Sequence, residues 1–156
     1  MPSRGGQTLL SWSGTAFEYL MPALFTRLFA NSLLEDACRD CVGRQIDYGN
    51  RMSVPWGISE SAYSALDANQ TYQYQAFGVP QLALKPGLDA EGLVISPYST
   101  MLSLPVEPSA AVGNLKRLED LGLVGPMGFY EAIDFTRAAK RQGERGVIIY
   151  TYMAIF

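Results

Sequence analysis

The spacing of hydrophobic and polar side chains predicts one long helix in the first third of the chain. Over residues 32–48, apolar and small side chains recur at intervals of three and four, with charged side chains on the opposite face. Ser32 and Glu35 have the spacing of a capping box, and Gly49 is expected to end the helix. Gly43 weakens a helix, so a close neighbour is expected beside it. The inward stripe is predicted to contain Leu34, Cys38, Cys41, Val42, Gln45 and Ile46.

Several shorter helices are predicted from capping signals. Thr15 and Glu18 have capping-box spacing at the start of a helix over 16–21, which Pro22 ends or kinks. A second helical piece is expected over 23–29. Further helices are predicted over 97–104 and 109–121, each opened by a proline, and a basic, polar loop is predicted over 137–145.

Residues 71–77 alternate aromatic and polar side chains at a period of two, which is typical of an extended segment. We expect Tyr72, Tyr74 and Phe77 to present their rings on one side, either as an exposed aromatic surface or as an edge of the core. A short helix is predicted over 62–67. The pattern as a whole therefore predicts a mainly α-helical fold with a few short strands and long loops.

The stretch over residues 54–63 holds the leading candidate for chemistry. Its one carboxylate, Glu60, stands between two serines, with Trp56 four residues before it and Tyr63 three after it. Aromatic rings stack on the faces of sugars, and a carboxylate can act on a glycosidic bond or hold a hydroxyl. The alternative is a structural loop in which a serine caps the next helix and Glu60 lies in its first turn.

A second group of acidic and aromatic side chains lies at residues 127–135. Glu131 and Asp134 stand there among Tyr130 and two phenylalanines. This group could face a ligand, or it could form a packed turn in which Asp134 caps the backbone. Glu18 has a structural alternative of the same kind, as the third residue of its capping box.

Composition excludes several classes of function. The 156 residues are 48% hydrophobic and 17% charged, with a net charge of −3, so nothing indicates binding to nucleic acid or to an anionic membrane. The absence of histidine excludes histidine-based catalysis and metal sites within the chain. Cys38 and Cys41 have CxxC spacing but no second pair, so we interpret them as packed free thiols and expect no metal and no cofactor.

The amino terminus lacks the features of a signal peptide, and the longest apolar window, over 20–34, is too interrupted to span a bilayer. Reduced cysteines fit a cytoplasmic setting. We therefore expect a cytoplasmic, soluble chain or the soluble part of a larger protein.

Five groups of residues carry a more specific signal because they are long and follow one another in order. They are Ser-Trp-Ser-Gly-Thr-Ala-Phe-Glu-Tyr-Leu-Met-Pro at 11–22, Val-Pro-Trp-Gly-Ile-Ser-Glu-Ser-Ala-Tyr at 54–63, Tyr-Gln-Tyr at 72–74 with Phe-Gly-Val-Pro at 77–80, Ser-Pro-Tyr at 96–98, and Gly-Phe-Tyr-Glu-Ala-Ile-Asp at 128–134. Together they resemble the glycoamylase-like domain in the middle of cyclic β-1,2-glucan synthases.

The resemblance implies part of an (α/α)6 toroid, a ring of paired helices around a sugar cleft. It implies action on linear β-1,2-glucan by a retaining route, in which a carboxylate attacks the anomeric carbon and a glucan hydroxyl then displaces it. The parent enzymes are large inner-membrane proteins, so this chain would belong to their cytoplasmic side and carry no membrane segment itself.

Carried over residue by residue, the resemblance makes Glu60 the nucleophile. A retaining enzyme needs a second carboxyl about 5–5.5 Å from the first. The family's acid/base lies upstream of the group at 11–22, which leaves Glu18 and Glu131 to hold sugar hydroxyls; either becomes the acid if that assignment does not apply here. The other expected substrate-binding side chains are Trp12, Trp56, Tyr63, Tyr72, Tyr74 and Tyr130.

The chain departs from the family at residues 81–86, where a glycine-rich basic run is expected, and at its end, where a histidine-containing group is expected. We therefore expect residues 1–156 to be one partial domain, truncated at both ends and nearly inert by itself. The alternatives are a β-1,2-glucanase-like hydrolase and a non-catalytic remnant that binds glucan.

Overall fold

The computed structural model describes residues 8–85, 92–136 and 146–152. Helix makes up 40% and strand 24% of the structure. The helices are α1 (Ala16–Leu20), α2 (Pro22–Phe25), α3 (Leu33–Met52), α4 (Pro97–Leu102) and α5 (Pro108–Asp120), with a 3-10 turn at Pro80–Leu82. The strands are β1 (Glu60–Leu66), β2 (Tyr72–Ala76), β3 (Val94–Ile95), β4 (Val124–Gly125), β5 (Gly128–Asp134) and β6 (Val147–Tyr152).

Helix α3 forms where the sequence predicts it and runs further. The Ser32 hydroxyl accepts the Glu35 amide, while the Glu35 carboxylate accepts the Asn31 amide, so only half of the predicted capping box forms. The helix passes through Gly49 and ends at Ser53, whose φ of 57° is left-handed. The predicted inward stripe is confirmed for Cys38, Cys41, Val42 and Gln45, whereas Leu34 is 37% exposed.

The two glycines of α3 differ in what surrounds them. A Cβ on Gly43 would meet nothing within 4 Å, so the predicted close neighbour is wrong. Gly49 has that neighbour instead, because a Cβ there would lie 2.9 Å from the Cβ of Trp56. The close approach therefore occurs where the chain returns after α3.

The sheets form a hairpin and a small four-stranded sheet. Strands β1 and β2 pair antiparallel around a turn in which the Asp67 carboxylate accepts the amides of Asn69 and Thr71. Strand β5 pairs with β3, β4 and β6. The helix predicted over 62–67 is wrong, because β1 occupies these residues; the extended segment predicted over 71–77 is confirmed in β2.

Two buried carboxamides hold the segment that leads into β1. Gln45 of α3 donates to the Ile58 carbonyl at 2.8 Å and accepts the Ile58 amide at 2.8 Å. Asn114 of α5 donates to the Trp56 carbonyl at 2.7 Å and accepts the Trp56 amide at 3.2 Å. Two helices thus fix the backbone immediately before Glu60, and both amides are paired as buried polar groups require.

The structure tests some of the remaining predictions of helices and loops. The helices over 97–104 and 109–121 are confirmed as α4 and α5, and the piece over 23–29 shortens to α2. The loop predicted over 137–145 lies outside the described residues. Among the residues described, no helix has the length and apolar character needed to cross a membrane.

Candidate functional site

Glu60 begins β1 and is half-buried beside a fixed set of hydroxyls. The Tyr98 hydroxyl, at the start of α4, lies 2.7 Å from the Ser59 hydroxyl and 3.0 Å from the Glu60 carbonyl oxygen. The Ser59 hydroxyl also accepts the Phe17 amide of α1 at 3.1 Å. Contacts from α1 and α4 therefore meet at Ser59, immediately before β1, and they hold the backbone of Ser59 and Glu60 in place.

Among the described residues, no strand pairs with the outer edge of β1, and carboxylates of β5 meet it instead. The Phe77 amide bonds to the Ser59 carbonyl, so in this register the amides of Ala62 and Ser64 point away from β2. Ser64 donates to an Asp134 oxygen at 3.1 Å, and Ala62 makes a longer contact of 3.5 Å with Glu131. Strand β5 thus brings its two acidic side chains onto the strand that Glu60 opens.

The two acids of β5 have opposite pKa shifts. Burial raises the pKa of Glu131, and hydrogen bonds from Ala62 and Ser61 offset only part of that effect. Burial also acts against ionisation of Asp134, but the hydrogen bonds from Thr136 and Ser64 outweigh it and hold the pKa below its ordinary value. Glu131 is therefore the side chain suited to carrying a proton, and Asp134 is suited to remaining an ionised structural acceptor.

Glu60 and Glu131 act on the same two phenols. Partial desolvation of its hydroxyl raises the pKa of Tyr74, although most of the side chain is exposed, and burial raises the pKa of Tyr98; the charges of Glu60 and Glu131 raise both further. The contacts place these groups in one region, because Ala62 of β1 is the cross-strand partner of Tyr74 and lies 3.5 Å from Glu131, while the Tyr98 hydroxyl lies 3.0 Å from the Glu60 carbonyl. The residues at 54–63 and 128–134 are thereby brought together, although they are far apart in sequence.

Glu18 lies in a different arrangement. Its carboxylate accepts the Ser11 hydroxyl at 2.8 Å, the Ser13 amide at 3.2 Å and the Thr15 amide at 3.0 Å. The Thr15 hydroxyl in turn accepts the Glu18 amide, which completes the predicted capping box. The structural alternative for Glu18 is therefore present, and its carboxylate closes the loop that carries Trp12, which is 65% exposed.

The predicted aromatic side chains fall into buried and accessible sets. Trp56 is only 5% exposed and packs in the core, so the expectation that its ring stacks on a sugar is corrected: the ring has no free face. Tyr63 is half-buried, with its ring edge-on to Phe77 at 5.5 Å. Phe77 is 2% exposed, so of the two alternatives for this segment the edge of the core holds for Phe77 rather than the exposed aromatic surface.

The accessible set lies on the hairpin and on β5. Tyr74 is 63% exposed, and Tyr72 is half-buried against the core. Tyr130 is half-buried, with its ring edge-on to that of Tyr150 at 5.1 Å. Trp12, Tyr74 and Tyr130 therefore keep ring surface that a sugar could reach.

Tyr98 is the residue at the site that was not among the predicted site residues. It lies in the Ser-Pro-Tyr group at 96–98, but the sequence shows only a helix start there. Its contact with Ser59 joins residues 39 positions apart, so no local spacing could reveal it. The available sequence signal for Tyr98 was that it belongs to one of the five ordered groups that carry the family resemblance.

Neither metal nor thiol chemistry finds support in the described part of the chain. No group of three acidic, cysteine or histidine side chains there is placed to hold a metal ion. The prediction of packed free thiols is confirmed, since Cys38 and Cys41 are both buried and unbridged. Burial raises the pKa of both thiols, which keeps them protonated.

Comparison with known sequences supports the resemblance. The chain is 42% identical over 146 residues to the cyclic beta-(1,2)-glucan synthase NdvB of Rhizobium meliloti (strain 1021). The match covers 94% of this chain and 5% of that protein, so the chain spans about a twentieth of the curated relative.

Solved structures share the fold at low identity. An endo-beta-1,2-glucanase from Chitinophaga pinensis, in complex with sophorotriose and glucose, matches with a TM-score of 0.56 at 20% identity. That match covers 88% of this chain and 34% of the glucanase. A structure from Bacteroides caccae ATCC 43185 matches with a TM-score of 0.54 at 20% identity, over 88% of this chain and 32% of its own.

The sequence pattern of the Glycoamylase family matches residues 3–155, which is nearly the whole chain. The five ordered groups, the 42% identity and the shared fold agree with that match. The chain belongs to the Glycoamylase family.

Proposed function

We propose that this chain supplies a glucan-binding face and the nucleophile of a carbohydrate-active domain that acts on linear β-1,2-glucan. The observation that carries the proposal is the position of Glu131 beside the strand that Glu60 opens: its carboxylate lies 3.5 Å from the Ala62 amide, two residues along β1 from Glu60. Two carboxyls with different environments are what a retaining mechanism requires. The names of the relatives, a cyclic β-1,2-glucan synthase and an endo-β-1,2-glucanase, support the choice of substrate.

In this proposal Glu60 attacks the anomeric carbon, and its rigid backbone orients that attack. Glu131 is the acid/base available within the chain, because burial favours its protonated form. Glu18 is the weaker candidate, since loop amides and hydroxyls already occupy its carboxylate. In the first step the proton on Glu131 would pass to the leaving oxygen as the glycosidic bond breaks. In the second step a glucan hydroxyl or water would displace Glu60 from the anomeric carbon and give its proton to Glu131.

The proposed architecture is one sector of a larger helical toroid. It is supported by the match of most of this chain to about a third of each solved structure. The exposed rings of Trp12 and Tyr74 would then contribute to the wall of a sugar cleft. Tyr63, Tyr72 and Tyr130 would support that wall from half-buried positions.

Binding is the first test. Linear β-1,2-glucan titrated into the purified chain should perturb the NMR signals of Tyr74, Glu60 and Trp12, whereas a β-1,3-glucan of matched length should not. Glu60→Gln should leave this binding largely intact, because the amide keeps the shape of the carboxyl. Equal responses to the two glucans would exclude the proposed substrate.

The products separate the reaction classes. Cyclic products from linear β-1,2-glucan indicate transglycosylation, and shorter linear products indicate the hydrolase favoured by the glucanase structure. Glucan binding with no product leaves the non-catalytic binding role. Where turnover occurs, here or in a longer protein that contains this chain, Glu60→Gln should abolish it, and unchanged turnover would remove Glu60 as nucleophile.

A further inference from the structure

The loop over residues 11–15 carries Trp12, the most exposed of the aromatic rings predicted to stack on a sugar, on a backbone held by hydrogen bonds. Trp12 is 65% exposed, so its indole offers a large apolar face to solvent. The other tryptophan of the chain, Trp56, is 5% exposed. An exposed ring on a backbone that hydrogen bonds fix suits a binding partner better than it suits the core.

The backbone on both sides of the Trp12 side chain is fixed from the outside. The Leu84 amide donates to the Ser11 carbonyl at 2.8 Å, and the Lys85 amide donates to the Trp12 carbonyl at 2.9 Å. Gly14 has a φ of +69°, and a Cβ there would lie 2.8 Å from the Val79 carbonyl. The loop therefore rests directly against the residues around the 3-10 turn.

The inside of the loop is filled by one carboxylate. The oxygens of Glu18 accept the Ser11 hydroxyl at 2.8 Å, the Ser13 amide at 3.2 Å and the Thr15 amide at 3.0 Å. These donors flank Trp12 along the chain. Hydrogen bonds to a charged acceptor are stronger than neutral ones, so the loop depends on this carboxylate.

We infer that Glu18 is a positioning residue, which holds the loop over 11–15 so that the Trp12 indole forms a ready-made stacking surface for a pyranose ring. This inference rests on the proposed function. It changes the role of Glu18 from a side chain that binds the sugar directly to one that positions the sugar-binding ring of Trp12. Preorganising the ring before binding avoids part of the entropy cost of ordering a side chain.

A double-mutant cycle tests the role. Glu18→Gln should weaken binding of linear β-1,2-glucan roughly threefold to tenfold, and Ser11→Ala should weaken it less. In a Trp12→Ala background the same Glu18→Gln change should have almost no further effect on glucan affinity, because the ring that Glu18 positions has been removed. An equal loss in both backgrounds would show that Glu18 binds the sugar directly and would overturn the inference.

The matched control is Glu35→Gln. Glu35 is also the third residue of a capped helix, and it accepts a loop amide, that of Asn31, but its contacts are within α3 and its cap. It should lose similar helix-capping stability without changing glucan affinity. A parallel loss of affinity in Glu35→Gln would mean that general destabilisation explains both results.

A spectroscopic readout does not depend on glucan. With two tryptophans in the chain, 5-fluorotryptophan gives two fluorine signals, which Trp12→Phe assigns. Glu18→Gln should narrow the Trp12 line through faster motion and leave the Trp56 line unchanged. An unchanged Trp12 line would overturn the positioning role, whereas a mobile Trp12 in a chain that binds no β-1,2-glucan would uphold that role and count against the proposed function alone.

Discussion

The side-chain amide of Gln45 pairs with the backbone of Ile58 through two hydrogen bonds of 2.8 Å, as a neighbouring strand would. This pairing ties the middle of α3 to the segment that enters β1. Because both groups are buried, neither backbone atom can turn to water when the amide is removed.

Gln45→Ala should therefore lower the free energy of unfolding by about 2–4 kcal/mol, since it leaves a buried amide and carbonyl unsatisfied and removes packing. Urea unfolding followed by circular dichroism measures the change. Gln73→Ala, at an exposed position of β2, should change stability by less than about 0.5 kcal/mol. Similar losses of unfolding free energy in the two variants would show that the hydrogen bonds between Gln45 and Ile58 do not stabilise the fold.

The two glycines of α3 should respond to alanine in opposite directions. Gly43→Ala is expected to raise the unfolding free energy by about 0.5–1 kcal/mol, because the site is open and alanine favours helix. Gly49→Ala should lower it by about 1–3 kcal/mol, because the new Cβ would press on Trp56. Thermal unfolding of both variants provides the comparison, and a shift of the same sign in both would contradict the packing described.

Tyr98→Phe should remove the phenol that lies against the Ser59 hydroxyl and the Glu60 carbonyl. The expected cost is about 1 kcal/mol of stability, as for one hydrogen bond. The amide signals of residues 59 and 60 should shift in NMR spectra, while those of β6 should not. Tyr150→Phe serves as control because Tyr150 is 63% exposed, and unmoved signals at residues 59 and 60 would exclude the contact.

Asp134 should make the fold sensitive to acid. Its pKa is lower in the folded than in the unfolded chain, so its contribution is fully present above the unfolded value, near 3.9. The contribution is lost as pH falls through the folded value. Asp134→Asn should flatten this loss in urea unfolding measured across pH, while Asp120→Asn, at an exposed position, should keep the wild-type slope.

The pair of thiols should be inert in the native chain. Cys38 and Cys41 are fully buried, and burial raises the pKa of each, so little thiolate is present at neutral pH. Ellman's reagent should react with both in denaturant and only at the rate of unfolding without it. Rapid reaction of the native chain would contradict the burial of these two thiols on the inward face of α3.

Local signals predicted the elements whose causes are local. Thr15 with Glu18, and Ser32 ahead of α3, lie close in sequence to the amides they cap, so residue spacing was enough to place these helix starts. The stretch after Glu60 was misread as helix because its strand character comes from pairing with β2, across a turn, and from the acids of β5. No periodicity within that stretch encodes those partners.

The candidate site was predictable in its residue types and less so in their exposure. Glu60 and Glu131 are predicted from acid-aromatic groups, and the structure brings Glu131 onto the strand that Glu60 opens, 3.5 Å from the Ala62 amide. Trp56 looked equally suited to a sugar, yet it is 5% exposed, with its carbonyl bonded to Asn114 and its Cβ close to Gly49. Those contacts join α3 and α5 to a third segment, so the burial of Trp56 depends on tertiary packing alone.

The acidic side chains along the outer edge of β1 have a consequence for assembly. An open strand edge is a template onto which another chain can add, and inward-pointing charges are one way to prevent this. With Glu131 and Asp134 beside the amides of Ala62 and Ser64, an incoming strand would have to displace two acids before it could pair. Acid would weaken this barrier first at Glu131, because burial raises the pKa of that carboxyl whereas hydrogen bonds lower that of Asp134.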